Sequence, residues 1–413
     1  MARRGLLWHR DFRLLWGGET VSEFGSQVSL LAIPLVAVNT LSATPFQMGA
    51  LAAASTLAFL VIGLPAGVWV DRLRRRRVMI ASDIGRILVL GSIPVAYALG
   101  ILHLPQLYIV ALASGIFTVF FDVAYQSYLP SLVGRQHLVE GNAKLTGSQE
   151  VAQIAGPSLA GGLVQAVGGP YAVALDAASF LVSAVAVGAV RASEPAPTVA
   201  ETGHPPLRRE IGEGLRFVFG DRLLRAITAT TGTSNFFSGV QTAVEVIFLV
   251  NVVHASPAVI GLLFAAGGVG GVLAALSASP IARRVGGARA TLISSFAVAG
   301  GLLIPLTTPG VGILFFGAGL FLSSFAVVVY NINQVSFRQR LCPDRMLGRM
   351  NATIRFVVFG ILPVGALVGG AIGTAIGLRP TLWMAVIGES LAGIWLLVSP
   401  VRHMRDFPEG RSE

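Results

Sequence analysis

Reactive and charged side chains are scarce in this chain of 413 residues. A single cysteine, Cys342, leaves no partner for an intramolecular disulfide and rules out a thiolate metal cluster, so redox and zinc chemistry drop out. The six histidines (His9, His103, His137, His204, His254, His403) all fall in loops or tails, and none is placed for buried acid–base catalysis. No G-x-x-x-x-G-K-[ST] stretch occurs, which excludes a nucleotide-driven motor within the chain. The reading is of a protein that is not an enzyme and that needs no cofactor or metal. Charged residues make up only 12% and lysine occurs once, at Lys144, while 54% of the residues are hydrophobic. That balance is too apolar for an ordinary soluble fold and points to a membrane protein of many spans.

What charge there is carries information through its position. The net charge of +10 comes from arginines in short loops between apolar runs, so it sets orientation and is not a footprint for nucleic acid. The densest loop, Gly67 to Arg77, holds Asp71, Arg72, Arg74, Arg75, Arg76 and Arg77. Such a loop stays on the cytoplasmic side of a membrane. About 20 residues at ~1.5 Å each cross the hydrocarbon. Twelve segments satisfy this: 14–38, 48–70, 78–102, 107–129, 143–167, 171–190, 226–252, 259–279, 290–306, 311–333, 352–376 and 381–399. With these spans, Arg379 is the one basic residue on the far side and Arg86 the one inside a span. The N-terminal run from Met1 to Arg13 enters the first apolar stretch without a small-residue cleavage site, so it is expected to be a retained helix. Both termini are expected in the cytoplasm, and the bilayer is a cell's inner (plasma) membrane.

A polar stretch divides the chain. Residues 191–224 begin as a Pro-rich linker and continue as a candidate amphipathic helix, Ile211 to Phe219. The expected organisation is therefore a bundle of six spans at 1–190, a cytoplasmic linker at 191–224 and a second bundle at 225–413. A weak repeat supports it. Aligning Gly67 with Ser279 places Arg72 on Arg284 and Arg77 on Arg289, and six-helix repeats are a recurring way to build transporters.

At this point the chain resembles the major facilitator superfamily over nearly its whole length. Gly67, Asp71, Arg72 and the basic run look like the superfamily's signature loop, with Arg74 where a glycine is usual and Trp69 where a small or aliphatic residue is usual. Gly156-Pro157-Ser158-Leu159-Ala160-Gly161-Gly162 resembles the antiporter motif of helix five, in which Ala160 and Ala152 stand where glycines are usual. Phe12 to Trp16, Leu129-Pro130, Leu175 to Phe180 and Gly348 to Asn351 resemble a bacterial branch of drug/proton antiporters that includes macrolide and enterobactin exporters. The resemblance implies an all-α fold of two pseudo-symmetric six-helix bundles and proton-driven export of a small amphipathic molecule by alternating access. It also implies that Asp71 lies near Arg349 and Asn351, so that Gly67, Asp71, Arg72, Arg76 and Arg349 form a gate at one face. Independently of family, Pro157 bends helix five and Gly156 and Gly161 let a neighbour approach closely, which suits a gating seam.

Ionisable groups inside spans are costly and each one calls for a partner or a task. Glu19 and Glu23 share a face of helix one, about 10 and 16 Å from its cytoplasmic end. Asp83 and Arg86 enter helix three from the same side, and the reading pairs Arg86 with Asp83 or Asp122 as a buried ion pair. Asp122 and Glu150 come to about 12 Å depth in helices four and five. The acids outnumber the one cation, so Glu23 with Asp122 is the candidate proton-coupling site. A structural brace of Asp83, Arg86, Asp122 and Glu150 is the competing reading. The family fold lines its cavity with helices one, four, seven and ten. That assigns Glu19, Tyr125, Asn235, Glu245, Tyr330 and Asn331 to the substrate cavity, with Phe236 and Phe237 as apolar wall. Asp176 is placed near the outer end of its span, within reach of water. The partners expected are a small-molecule substrate, protons and lipid, with no nucleic acid, and a monomer. An uptake symporter and a transport-inactive sensor are the alternatives.

Overall fold

The computed structural model describes residues 6–192, 194, 207–342 and 344–407. The helices are α1 (Arg10–Asn39), α2 (Pro45–Asp71), α3 (Arg75–Ala98), α4 (Leu104–Val133), α5 (Leu138–Val167) and α6 (Gly169–Gly188). After them come α7 (Leu207–Gly220), α8 (Arg222–Asn251), α9 (Pro257–Val285), α10 (Gly287–Ala297), α11 (Leu314–Leu341), α12 (Asp344–Ile376), α13 (Leu378–Leu391) and α14 (Ile394–Leu397). No strand occurs among the described residues. Each expected span coincides with a helix, with α10 continued by a 3-10 stretch, Val298–Leu306, and α13 by α14. Among the described residues, ten helices are long and apolar enough to cross a membrane. The remaining two long helices, α5 and α8, are just as long but more polar. The first carries Glu140, Lys144, Gln149 and Glu150, and the second Thr228, Thr230, Thr231, Thr233, Ser234 and Asn235.

Large apolar side chains stand on the surface all round the helices, among them Leu30, Leu88, Ile109, Val185, Leu262 and Leu276, each more than 60% exposed. A protein in water would not carry so much continuous apolar surface, whereas hydrocarbon is the natural solvent for it. Proline sits inside many spans, at Pro34, Pro65, Pro94, Pro130, Pro157, Pro280 and Pro363. Neighbouring helices make the interrupted backbone tolerable.

The repeat seen weakly in sequence recurs in the backbone. After α1, the amides of Thr40 and Leu41 bond Val36 O, that of Ala43 bonds Ala37 O, and Ser42 takes a positive φ of 52°. After α8, Val252 and Val253 bond Phe248 O, Ala255 bonds Leu249 O, and His254 takes φ of 57°. This is the register in which Gly67 aligns with Ser279.

The helices pack into two compact units. The first comprises Met1–Ala43, Ala54–Ala200 and Ser256–Ala265. In it α1 lies against α5 and α6, and α3 against α4 and α6. Its apolar core gathers at the end bearing the arginine loop, around Phe12, Leu15, Met79, Phe121, Tyr128 and Leu129. The second comprises Thr44–Ala53, Glu201–Ala255 and Ala266–Glu413. Here α8 packs on α12 and α13, and α10 on α11. The expected amphipathic helix is present as α7, which rests its Val218 on Leu224, Met350, Ile354 and Val358. The first nine residues of α2 and the first nine of α9 thus pack with helices from the other half of the sequence.

Candidate functional site

Four helices of the first unit converge on a polar group within the membrane span. On α1, Glu19, Ser22 and Glu23 lie within one turn on one face, as the helical period requires. Glu19 is 6% exposed and its Oε2 has no hydrogen-bond partner. Glu23 Oε1 accepts from Gln149 Nε2 of α5 at 3.1 Å. Asp122 and Tyr125 on α4, with Asp83 and Arg86 on α3, complete the group, all close enough for their charges to act on Glu19 or on Tyr125.

Arg86 pairs with Asp83, Nη2 to Oδ1 at 2.5 Å, both buried. Between the two partners the sequence left open, the geometry selects Asp83. The guanidinium is also sandwiched between two rings, 4.5 Å from the centroid of Phe121 and 3.9 Å from that of Phe180. Such stacking replaces water on both faces of the cation. One cation is therefore matched by one acid of its own helix, and Glu19 and Glu23 make no ion pair among the described residues. Glu150 is exposed and stands outside this group.

Asp176 departs from the expectation that water reaches it, for it is 1% exposed. Gly25 of α1 explains the cover, because a Cβ there would meet Asp176 Oδ1 and Ser179, and without it α1 closes onto α6.

The arginine loop is tied down within the same unit. Arg76 Nε donates to Val187 O at 3.0 Å and its Nη2 to Gly188 O, placing a cation on the C-terminal carbonyls of α6. Glu194 accepts from the amides of Arg75 and Arg76 at 2.5 and 3.3 Å, capping α3. Sequence reasoning missed this cap, since nothing local links residues so far apart. Arg72 is exposed. Gly67 and the side chains of Asp71, Arg349 and Asn351 lie outside the described residues. In α5, Gly156 faces Gln27, while Gly161 and Pro157 meet Gly261 and Pro257 of α9 through backbone atoms. Gly261 is the partner that inspection of α5 alone could not supply.

In the second unit the candidates are dispersed. Asn235 Nδ2 donates to Val358 O at 2.8 Å, joining α8 to α12. Tyr330 OH lies 2.8 Å from Thr231 Oγ1 and donates to Ile227 O at 3.3 Å, joining α11 to α8. Asn331 Oδ1 accepts from Gln334 on its own helix at 3.3 Å. Glu245 accepts from Gln241 at 3.3 Å. Glu389 of α13 accepts from Ser234 Oγ at 3.1 Å, within the field of Glu245. No group of three or more metal-ligating side chains occurs among the described residues.

Acids buried in a helical span, glycine seams and a duplicated helical repeat describe a transporter, and the model of the Major Facilitator Superfamily matches residues 15–362. The chain belongs to this superfamily. It is a multi-pass membrane transport protein. The chain is 24% identical to the multidrug efflux pump Tap of Mycolicibacterium fortuitum, over 91% of this chain and 92% of Tap. It is 25% identical to the enterobactin exporter EntS of Citrobacter koseri, over 94% and 90%. An MFS-type transporter of Bacillus subtilis, YfiS, is 26% identical over 92% and 88%. Among solved structures, a bacterial homologue of the iron transporter ferroportin in an inward-facing state shares the fold with a TM-score of 0.78 at 15% identity, covering 94% of this chain and 98% of that one. The nucleoside transporter NupG does so with a TM-score of 0.77 at 11% identity, covering 94% and 98%.

Proposed function

We propose that this superfamily member is a proton-driven exporter of small amphipathic molecules, working by alternating access from a cell's inner membrane with both termini in the cytoplasm. The observation that carries the reading is the surplus of carboxyl groups around one committed cation. Arg86 is held by Asp83, and Glu19 and Glu23 of α1 make no ion pair among the described residues, with Asp122 beside them. Buried acids in that position are suited to taking up and releasing protons as the site opens to either side. Two relatives named for efflux and export support the outward direction. A site richer in acids than bases favours cationic or neutral substrates, with Tyr125 as an aromatic wall. The proposed organisation remains two six-helix bundles, 1–190 and 225–413, joined by 191–224, in a monomer. Glycine seams such as Gly161 with Gly261 would part and close during the cycle.

The test uses inverted membrane vesicles and ethidium as a lipophilic cation. An imposed proton gradient should drive ethidium accumulation in vesicles with the wild-type chain, and Glu23→Gln should abolish accumulation while leaving downhill equilibration. Uphill accumulation by Glu23→Gln on protons alone would remove Glu23 from coupling. Accumulation only in right-side-out vesicles would replace export by uptake.

A further inference from the structure

A second closed polar site in the first unit lies apart from the acid group on α1, in the seam between α1 and α6. Asp176 lies seven residues into α6, about 10 Å from the end at Gly169, the end opposite the arginine loop. Its carboxyl is buried without an ion pair among the described residues. Ser179 Oγ is 2.7 Å from the main-chain oxygen of Asp176, to which it donates, and 3.2 Å from Oδ1. Ser29 of α1, 7% exposed, faces the same carboxyl, yet its Oγ closes no hydrogen bond. The charged group whose field reaches Asp176 is Arg86 of α3, already paired with Asp83. The acids of α1 stand further along that helix, Glu19 and Glu23 being ten and six residues from Ser29.

A buried carboxylate draws every donor in reach, because its charge is otherwise unsolvated. Here Ser179 divides its hydrogen between the backbone and Oδ1, Ser29 adds no bond of its own, and no cation among the described residues pairs with the carboxyl. A carboxyl so enclosed and without a countercharge is held at lower cost as the neutral acid. Granted the proton-driven transport proposed above, we infer that Asp176 is a second proton-binding residue, separate from Glu19, Glu23 and Asp122 and reached from the Gly169 end of the membrane. In the step itself the carboxyl O–H bond breaks, the proton passes to water, and the negative charge left on Asp176 is met by Ser29 and Ser179 turning their hydroxyls onto it. Reprotonation reverses this and releases Ser29. Because the two hydroxyls sit on α1 and α6, each proton exchange alters the hydrogen bonds that join those helices.

Infrared difference titration of the full chain in lipid vesicles tests the assignment without requiring a substrate. The wild-type protein should show the carbonyl band of an acid in apolar surroundings, lost as pH rises. Asp176→Asn should remove one component of that band, whereas Glu23→Gln and Glu19→Gln should leave that component in place. Ser29→Ala should retain the acid component and shift the carboxylate band that replaces it, since Ser29 serves the ionised form. Superimposable spectra for the wild type and Asp176→Asn would overturn the inference. So would a component that sodium chloride abolishes at fixed pH, which would mark a metal-cation site. Loss of ethidium transport in Glu23→Gln with the Asp176 component intact would separate the two sites, and failure of Glu23 in coupling would leave the Asp176 spectrum unchanged.

Discussion

Arg86 is the residue on which the first unit turns. Its ion pair and two ring faces are mutually dependent, and removing one partner strands a buried charge on the other, at a cost of about 3–5 kcal/mol. Arg86→Ala should therefore lower the unfolding temperature in detergent sharply, and Arg86→Lys should recover only part of it, since an ammonium cannot stack between Phe121 and Phe180. A stability unchanged by Arg86→Ala would mean that the pair is not formed in the membrane. The candidacy of Arg86, Asp83, Glu19 and Glu23 was legible from sequence because an ionisable group in an apolar run stands out against its surroundings. Which acid holds the arginine was not, because Asp83 lies one turn away on the same helix and Asp122 at the arginine's own depth on α4, and side-chain direction decides between them. Asp176 misled for a related reason. Its distance from the helix end was read correctly, but the glycine that brings α1 over it is far away in sequence.

At the scale of the helix, the connections are set by end groups. Glu194 satisfies two amides at the start of α3, and Glu194→Ala should cost about 1 kcal/mol, visible as faster amide hydrogen exchange at Arg75 and Arg76. Exchange unchanged at those amides would assign the capping elsewhere. The α5 seam makes a sharper demand. A Cβ on Gly161 would lie 3.1 Å from the Cα of Gly261 and press on the carbonyl of Pro257, and backbone atoms cannot swing aside as a side chain can. Gly161→Ala should thus destabilise by about 1–3 kcal/mol as an overpacked contact, whereas the same change at Gly162, which meets open space, should be neutral. Comparable unfolding temperatures for the two variants would refute a tight seam. Spans and loops were readable because arginine clusters and apolar length report the same boundaries. Helix pairing was only half readable, since a small-residue motif announces a close contact without saying with whom.

For the whole molecule, the arginine distribution makes the clearest statement. Reporter domains fused after residue 413 and before residue 1 should both remain on the cytoplasmic face, and adding arginines beside Arg379 should disturb insertion of the last two spans. A reporter exported at one terminus would break the even number of crossings. The duplicated turns at Ser42 and His254 show that the repeat persists in backbone geometry where the side chains have diverged.

The 3-10 stretch Val298–Leu306 bears on the membrane itself. A 3-10 turn rises about 2.0 Å per residue against about 1.5 Å in an α-helix. Gly287 to Leu306 therefore reaches roughly 4–5 Å further than the equally long α6, at the cost of weaker internal bonding. Rewinding those residues into α-helix would shorten the span by about the difference in thickness between one cellular bilayer and another. The third crossing of the second half thereby covers more of the bilayer than its residue count alone would give, and bilayer thickness enters the balance between its two helical forms.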